Sequence, residues 1–240
     1  MSDSLVVIPT YNERENIVRM IETVFGLPED FAILVVDDGS PDGTAELVRE
    51  QQQRYGADRL HLLERGGKLG LGTAYLDGFR YGLKLPQFEY FFEMDADFSH
   101  NPADLPRLRA ACAEGRGDLS VGSRYTRGGK VENWPFDRIA LSYGASLYVR
   151  MVTWMPVKDP TAGFICYTRR VLEAIDFDRI KFIGYAFQIE MKYTARRLGF
   201  KIVEVPITFT DRIAGASKMH KSIIQEAIFG VLSLRFRRGQ

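Results

Sequence analysis

Two carboxylates one residue apart, Asp95 and Asp97, flank Ala96 directly after the apolar run Tyr90 to Met94. At a strand end such a pair can bend toward a shared divalent cation, a hard ion that prefers oxygen ligands and is commonly held jointly with substrate phosphates. An Asp-x-Asp tripeptide also arises as two solvated acids in a turn, and its place after a strand is what favours the metal reading. A second acidic pair, Asp37-Asp38, follows the apolar run Phe31 to Val36 and leads into Gly39-Ser40-Pro41-Asp42-Gly43-Thr44. A carboxylate there can accept from the N–H groups of a base or from ribose hydroxyls, while Gly39 lets backbone approach a ligand closely. Ser40 and Asp42 read as caps of the helix that follows, which leaves the ligand role to Asp38. The loop from Pro9 to Asn16 adds the ring of Tyr11 and the carboxylate of Glu13, able to stack on and hydrogen-bond a base.

These three loops need a frame that brings them together. Leu5-Val6-Val7-Ile8 is a β-branched run ended by Pro9, and from Asn12 a helical pattern sets Ile17, Met20, Ile21 and Val24 on one face. Phe31 to Val36 repeats the strand, and Ser40-Pro41-Asp42 predicts a helix start with proline at its first position, running to about Arg54. Strands at Leu60 to Leu63 and Tyr90 to Met94 alternate with helices at Gly70 to Leu83, rich in small residues, and Pro102 to Cys112. Further on, Leu119 to Ser123, Phe164 to Tyr167 and Lys201 to Pro206 read as strands, and Arg138 to Trp154 and Tyr185 to Arg197 as helices. This alternation predicts an α/β fold with a mostly parallel central sheet and helices on both faces. In such sheets ligands bind beyond the carboxyl ends of the strands, so the loops after Ile8, Val36 and Met94 should meet in one crevice.

The 240 residues, 45% of them hydrophobic, suffice for one sizeable core. The 32 basic and 31 acidic residues nearly cancel, so nothing calls for a nucleic-acid partner. Cys112 and Cys166 stand far apart without a CxxC pairing, which fits reduced thiols in the cytoplasm rather than a disulfide or zinc framework. The segment before Leu5 lacks a basic region followed by an apolar signal, and no apolar run reaches the ~18–20 residues of a membrane-spanning helix. Membrane contact is therefore expected to be peripheral, through amphipathic segments at about 136–154 and 221–238. The second ends in Arg235, Arg237 and Arg238, a pattern suited to an anionic interface. A helix packed on its own core or on a second subunit would show the same periodicity.

Pro9 to Ile17, Val35 to Thr44, Asp95-Ala96-Asp97 and Gly122-Ser123-Arg124-Tyr125, in this order, resemble the family 2 glycosyltransferases of the GT-A fold. Arg127 to Pro135 and Arg212 to Met219 narrow the resemblance to the dolichol-phosphate (polyprenol-phosphate) mannose synthases, from Leu5 to about Met219. The resemblance implies one catalytic domain over 1–240, with Pro9, Tyr11, Glu13, Val36, Asp38, Asp95 and Ala96 around the nucleotide. It implies Mg2+ or Mn2+ at Asp95 and Asp97. Ser99 stands where relatives can have a metal-binding glutamine, so the third ligand is Ser99 or water. Arg124, Arg138, Arg212 and Lys218 fall near the phosphates of donor or acceptor. The C-terminal transmembrane pair of some relatives is missing, which groups this chain with peripheral forms on the cytoplasmic membrane face and leaves room for a separate membrane-anchoring subunit.

The implied reaction moves mannose from GDP-mannose to dolichyl or polyprenyl phosphate, with inversion. A lipid phosphate is already anionic at neutral pH, so in-line attack needs no strong general base and no catalytic histidine. Of His61, His100 and His220, only His100 lies beside the metal loop, where it reads as a solvated or supporting group. Asp97, Arg212 and Lys218 are the expected catalytic residues, the two cations offsetting repulsion between anionic donor and acceptor. By spacing alone Arg212 and Lys218 could equally be surface charges. A UDP-glucose-dependent lipid-phosphate glucosyltransferase or another family 2 glycosyltransferase, such as one acting on polysaccharide, and a non-catalytic nucleotide-sugar-binding membrane adaptor are the competing readings.

Overall fold

The computed structural model describes residues 2–184, 186–211 and 230–235. In chain order the elements are β1 (Ser4–Thr10), α1 (Ile17–Phe25), β2 (Ala32–Asp37), α2 (Thr44–Tyr55), β3 (Leu60–Glu64), α3 (Leu71–Leu83), β4 (Tyr90–Glu93) and α4 (Leu105–Ala113). There follow β5 (Leu119–Ser123), β6 (Lys130–Glu132), α5 (Phe136–Thr153), β7 (Ile165–Thr168), α6 (Arg169–Ala174), α7 (Ala186–Arg197), β8 (Ile202–Pro206) and β9 (Thr208–Thr210). Seven strands form one sheet in the order β3-β2-β1-β4-β7-β5-β8. All neighbours run parallel except β7, which is antiparallel to both β4 and β5.

The alternation of side chains along a strand builds two cores at once. Leu5 and Val7 of β1 and Leu34 and Val36 of β2 face α3 and α7, while Val6, Ile8, Ile33 and Val35 face α1 and α4. All eight are fully buried, each side chain contributing about 1.5–3 kcal/mol by leaving water. The small residues of α3 let it lie flat on the sheet: a Cβ at Gly78 would come within 2.5 Å of Val7 Cγ1, and one at Gly82 within 2.6 Å of Leu5.

Three features differ from the sequence expectation. The helix after β2 begins at Thr44 with Gly43 as its N-cap, because Ser40 is drawn back to Asp37: its N–H and hydroxyl both donate to that carboxylate. The antiparallel β7 and the two-stranded pairing of β6 with β9 join segments distant in the chain, which periodicity cannot register. Of the expected amphipathic segment 221–238, the helical stretch 230–235 is described, and there Val231 and Leu234 pack against Val149, Met155 and Ile189. These two side chains therefore serve a protein core, not a membrane.

Candidate active site

The parallel neighbours β3, β2, β1 and β4 end at one edge of the sheet, and successive strands depart to opposite sides of β1. That switch point opens a crevice lined by the loops after Thr10, Asp37, Glu64 and Glu93. The three loops singled out in the sequence thus converge, joined by the loop after β3, which the same topological argument should have included. The first two are stitched together: Asn12 N–H donates to Ser40 Oγ, Glu13 N–H to Thr44 Oγ1 and Arg14 N–H to Asp42 Oδ2.

Asp95, Ala96 and Asp97 follow β4 at the centre of this edge. The Asp95 side chain is part-exposed, whereas Asp97 is only 7% exposed. Ser99 N–H donates to Asp97 Oδ1 at 3.0 Å, a bond made possible by Phe98, whose φ of 61° places a bulky residue in the left-handed region. A conformation costing of order 1–2 kcal/mol is held here because it turns Ser99 N–H back onto Asp97. Ser99, expected as a metal ligand, is itself buried, and its N–H orients Asp97. Asp95 is fixed from two sides: its N–H donates to His100 Nδ1 at 3.2 Å, and Tyr75 Oη donates to its Oδ1 at 3.3 Å. His100, read from sequence as a loop histidine, is buried and stacked on Phe164 with ring centroids 4.9 Å apart. Burial lowers its pKa, and Nδ1 acting as acceptor assigns the proton to Nε2. Of the two partners of Asp95, His100 is the histidine read as a supporting group beside this loop, whereas Tyr75 arrives from α3 and leaves no local signal.

At the end of β2, Asp38 lies in an ion pair with Arg65, whose Nε donates to Asp38 Oδ1 at 2.6 Å. Arg65 also donates to Thr73 Oγ1 and Asp77 Oδ2, and its side chain is 5% exposed. Burial pushes the Asp38 carboxyl above its ordinary value, with Arg65 pulling the other way. The neighbouring Asp37 is spent on structure, accepting from Thr10 Oγ1, Ser40 N–H and Ser40 Oγ. Tyr11 is part-exposed, with Lys68 Nζ 4.6 Å from its ring centroid, and Glu13 accepts from Asn16 Nδ2. Pro9 is partly exposed at the end of β1 and Ala96 is 4% exposed. Val36, expected at the nucleotide, has its side chain fully buried beneath the sheet, so that side chain packs on α3.

On the other flank, Arg124 was expected to meet a phosphate, but its guanidinium grips Asp159 in two-pronged fashion. Nε and Nη2 each donate to a different carboxylate oxygen at 2.7 Å, and Nη2 also reaches Thr161 Oγ1. The pair is buried, 9% and 0% exposed. Burial works to raise the Asp159 carboxyl, yet the hydrogen bonds and charge of Arg124 outweigh it and hold it below its ordinary value. Arg138 pairs with Asp211 at 3.0 Å and lies over the Trp134 ring at 3.9 Å. Arg212 and Lys218, the expected catalytic cations, lie outside the described residues; the ion pair at Asp211 carries Arg138 to the edge of that segment.

The model of glycosyl transferase family 2 matches residues 5–176. A polyprenol monophosphomannose synthase of Mycolicibacterium smegmatis is 48% identical over 228 residues, 95% of this chain and 85% of that protein. An undecaprenyl-phosphate mannosyltransferase of Micrococcus luteus is 44% identical over 228 residues, 95% of this chain and 91% of that protein. A mannosyltransferase from Pyrobaculum calidifontis, solved with GDP-Man and Mn2+, matches in fold with a TM-score of 0.64 at 17% identity. That match covers 98% of this chain and 63% of the other. With the family model spanning most of the chain and curated relatives aligned along nearly all of it, the chain belongs to glycosyl transferase family 2, among its polyprenol-phosphate mannose synthases.

Proposed function

We propose that this enzyme transfers mannose from GDP-mannose to a polyprenyl (dolichyl-type) phosphate, giving polyprenyl-phosphate mannose and GDP with inversion at the sugar carbon. The observation that carries it is the 48% identity along 95% of the chain to a polyprenol monophosphomannose synthase. A nucleotide sugar fits the crevice: Tyr11 offers a ring, and Asp38, held by Arg65, offers a carboxylate for ribose or base.

The carboxylates Asp95 and Asp97 suit a Mg2+ or Mn2+ ion. Among the described residues no cluster of three or more His, Cys, Asp or Glu could hold a metal. Two carboxylates leave the remaining positions to donor phosphate oxygens and water, the sharing that Mg2+ favours. When bound, the ion supplies positive charge against the diphosphate as it leaves. The protein's own part is orientation. Ser99 N–H aims Asp97, while His100 and Tyr75 fix Asp95. The acceptor phosphate oxygen attacks the anomeric carbon as the bond to GDP breaks, with Arg212 and Lys218 assigned to offset the repulsion between the two anions.

A lipid acceptor needs a surface where its tail can stay apolar. Along α5, Phe136, Tyr143, Leu147 and Met151, with Trp154 at its end, fall within an arc of about 80° at 100° per residue. They are 84%, 52%, 43%, 61% and 69% exposed, a stripe that a soluble surface does not require. Among the described residues no helix is long and apolar enough to cross a membrane. We assign this stripe to the membrane interface on the cytoplasmic face, in keeping with the free, buried Cys112 and Cys166. The double substitution Leu147→Asp/Met151→Asp is expected to weaken sedimentation with anionic vesicles about tenfold or more while leaving turnover of a short soluble lipid-phosphate analogue unchanged. Unaltered vesicle binding would remove the stripe from the membrane.

The function is tested by incubating the enzyme with labelled GDP-mannose or UDP-glucose and dolichyl phosphate in detergent, with Mg2+ or Mn2+ and with or without chelator. Chelator-sensitive mannosyl lipid is expected. Glucosyl lipid would retain the fold and reassign the donor; product unaffected by chelator would overturn the metal.

A further inference from the structure

Lysine is almost never enclosed without a partner, yet Lys192 on α7 is 0% exposed. Its flank of the core also carries Glu93, fully buried at the end of β4, and Tyr167 Oη donates to Glu93 Oε1 at 2.9 Å. The charges facing Lys192 are Glu93 from β4, Asp159 from the loop before β7, Arg124 from the end of β5 and Glu204 from β8. Its Nζ donates instead to a backbone carbonyl, Ala162 O, at 2.7 Å.

Ala162 belongs to Asp159-Pro160-Thr161-Ala162-Gly163, a loop that touches both halves of the site. Asp159 and Thr161 take the guanidinium of Arg124, and Thr161 Oγ1 meets Ser146 Oγ of α5 at 3.3 Å. At its other end, a Cβ on Gly163 would lie 3.8 Å from His100 Cε1, and His100 accepts the Asp95 N–H. Burying an ammonium is costly, and an apolar side chain of similar length would fill the same space, so a charge kept here points to the bond it makes.

We propose that Lys192 is a positioning residue for sugar transfer, pinning the carbonyl of Ala162 so that the loop 159–163 holds Arg124 on one side and backs His100 and the Asp95–Asp97 loop on the other. The inference rests on the transferase reading above. It concerns a side chain that touches no substrate, so its signature is a fall in kcat at nearly constant donor KM.

Lys192→Met strands Glu93 and can lose stability for that reason alone, so the deciding variant is Glu93→Gln/Lys192→Met, in which both charges are gone. The experiment measures kcat and KM for GDP-mannose, melting temperature, and hydrogen exchange of the 159–163 amides in wild type, Lys192→Met and the double variant. The double variant is expected to regain most of the melting temperature lost by Lys192→Met, yet to keep faster exchange at 159–163 and a kcat lowered about 10²-fold, as a misplacement near 1 Å would give. Recovery of wild-type kcat and exchange in the double variant would reduce Lys192 to a counter-charge for Glu93 and overturn the proposal. A wild type that makes no mannosyl lipid overturns the function instead. Exchange at 159–163 then still decides the pin, which is lost if the double variant matches wild type there.

Discussion

Asp97→Ala is expected to lose sugar transfer by about 10³-fold or more while remaining folded, because it removes half of the protein's share of the proposed metal site and a charge aimed by its own loop. The side chain is 7% exposed and accepts Ser99 N–H, so its truncation leaves one amide without its acceptor, at a cost of about 1–3 kcal/mol. The left-handed Phe98 then has less to hold it, and the loop is expected to relax locally without unfolding the sheet. Calorimetric titration of GDP in the presence of Mn2+ should show binding weakened in parallel, whereas GDP without metal should bind both proteins alike. Near wild-type transfer by Asp97→Ala would remove Asp97 from the metal site.

The largest loss of stability is expected at Asp159. Replacing it by asparagine leaves the Arg124 guanidinium enclosed with no opposing carboxylate on its two short bonds, and breaking a buried pair from one side costs about 3–5 kcal/mol. Against a total of about 5–15 kcal/mol for a folded domain, that loss is a third or more of the margin in most cases. The carboxylate's folded pKa is depressed, so its contribution is complete above the unfolded value near 3.9 and disappears as pH falls through the lower folded value. Urea denaturation of wild type and Asp159→Asn should therefore differ most at neutral pH and converge below about pH 4. A difference that stays constant down to pH 3 would mean that the pair contributes packing and not charge. Transfer should fall as well, since Arg124 and the loop 159–163 are bonded to each other through the lost carboxylate.

Much of this protein is legible in one dimension. The β-branched runs at 5–8 and 31–36 became β1 and β2, the apolar positions Ile17, Met20, Ile21 and Val24 became the buried face of α1, and the strand-end placement of Asp95 and Asp97 was readable from Tyr90 to Met94 alone. These features are local: a period of two or 3.6 and a polar break at a strand end need only neighbours in sequence. Harder to read was what each polar side chain would meet. Asp37 and Asp38 are adjacent and chemically identical, yet one is consumed by Thr10 and Ser40 and the other is held by Arg65, a residue on a loop that enters the crevice only because β3 lies beside β2. Arg124 meets Asp159, 35 residues on, only because the fold brings the two together. Lys192 is enclosed once α7 is laid on the sheet, and its ammonium then meets the carbonyl of Ala162. The sequence by itself determined most of the elements, the family and the strand-end acids, because those follow from local periodicity and ordered motifs, whereas the short β6 and β9 arise only as a pair in the fold. Tertiary structure alone decided which charges face each other, because a partner tens of residues away is chosen by strand order and packing, which leave no trace in spacing.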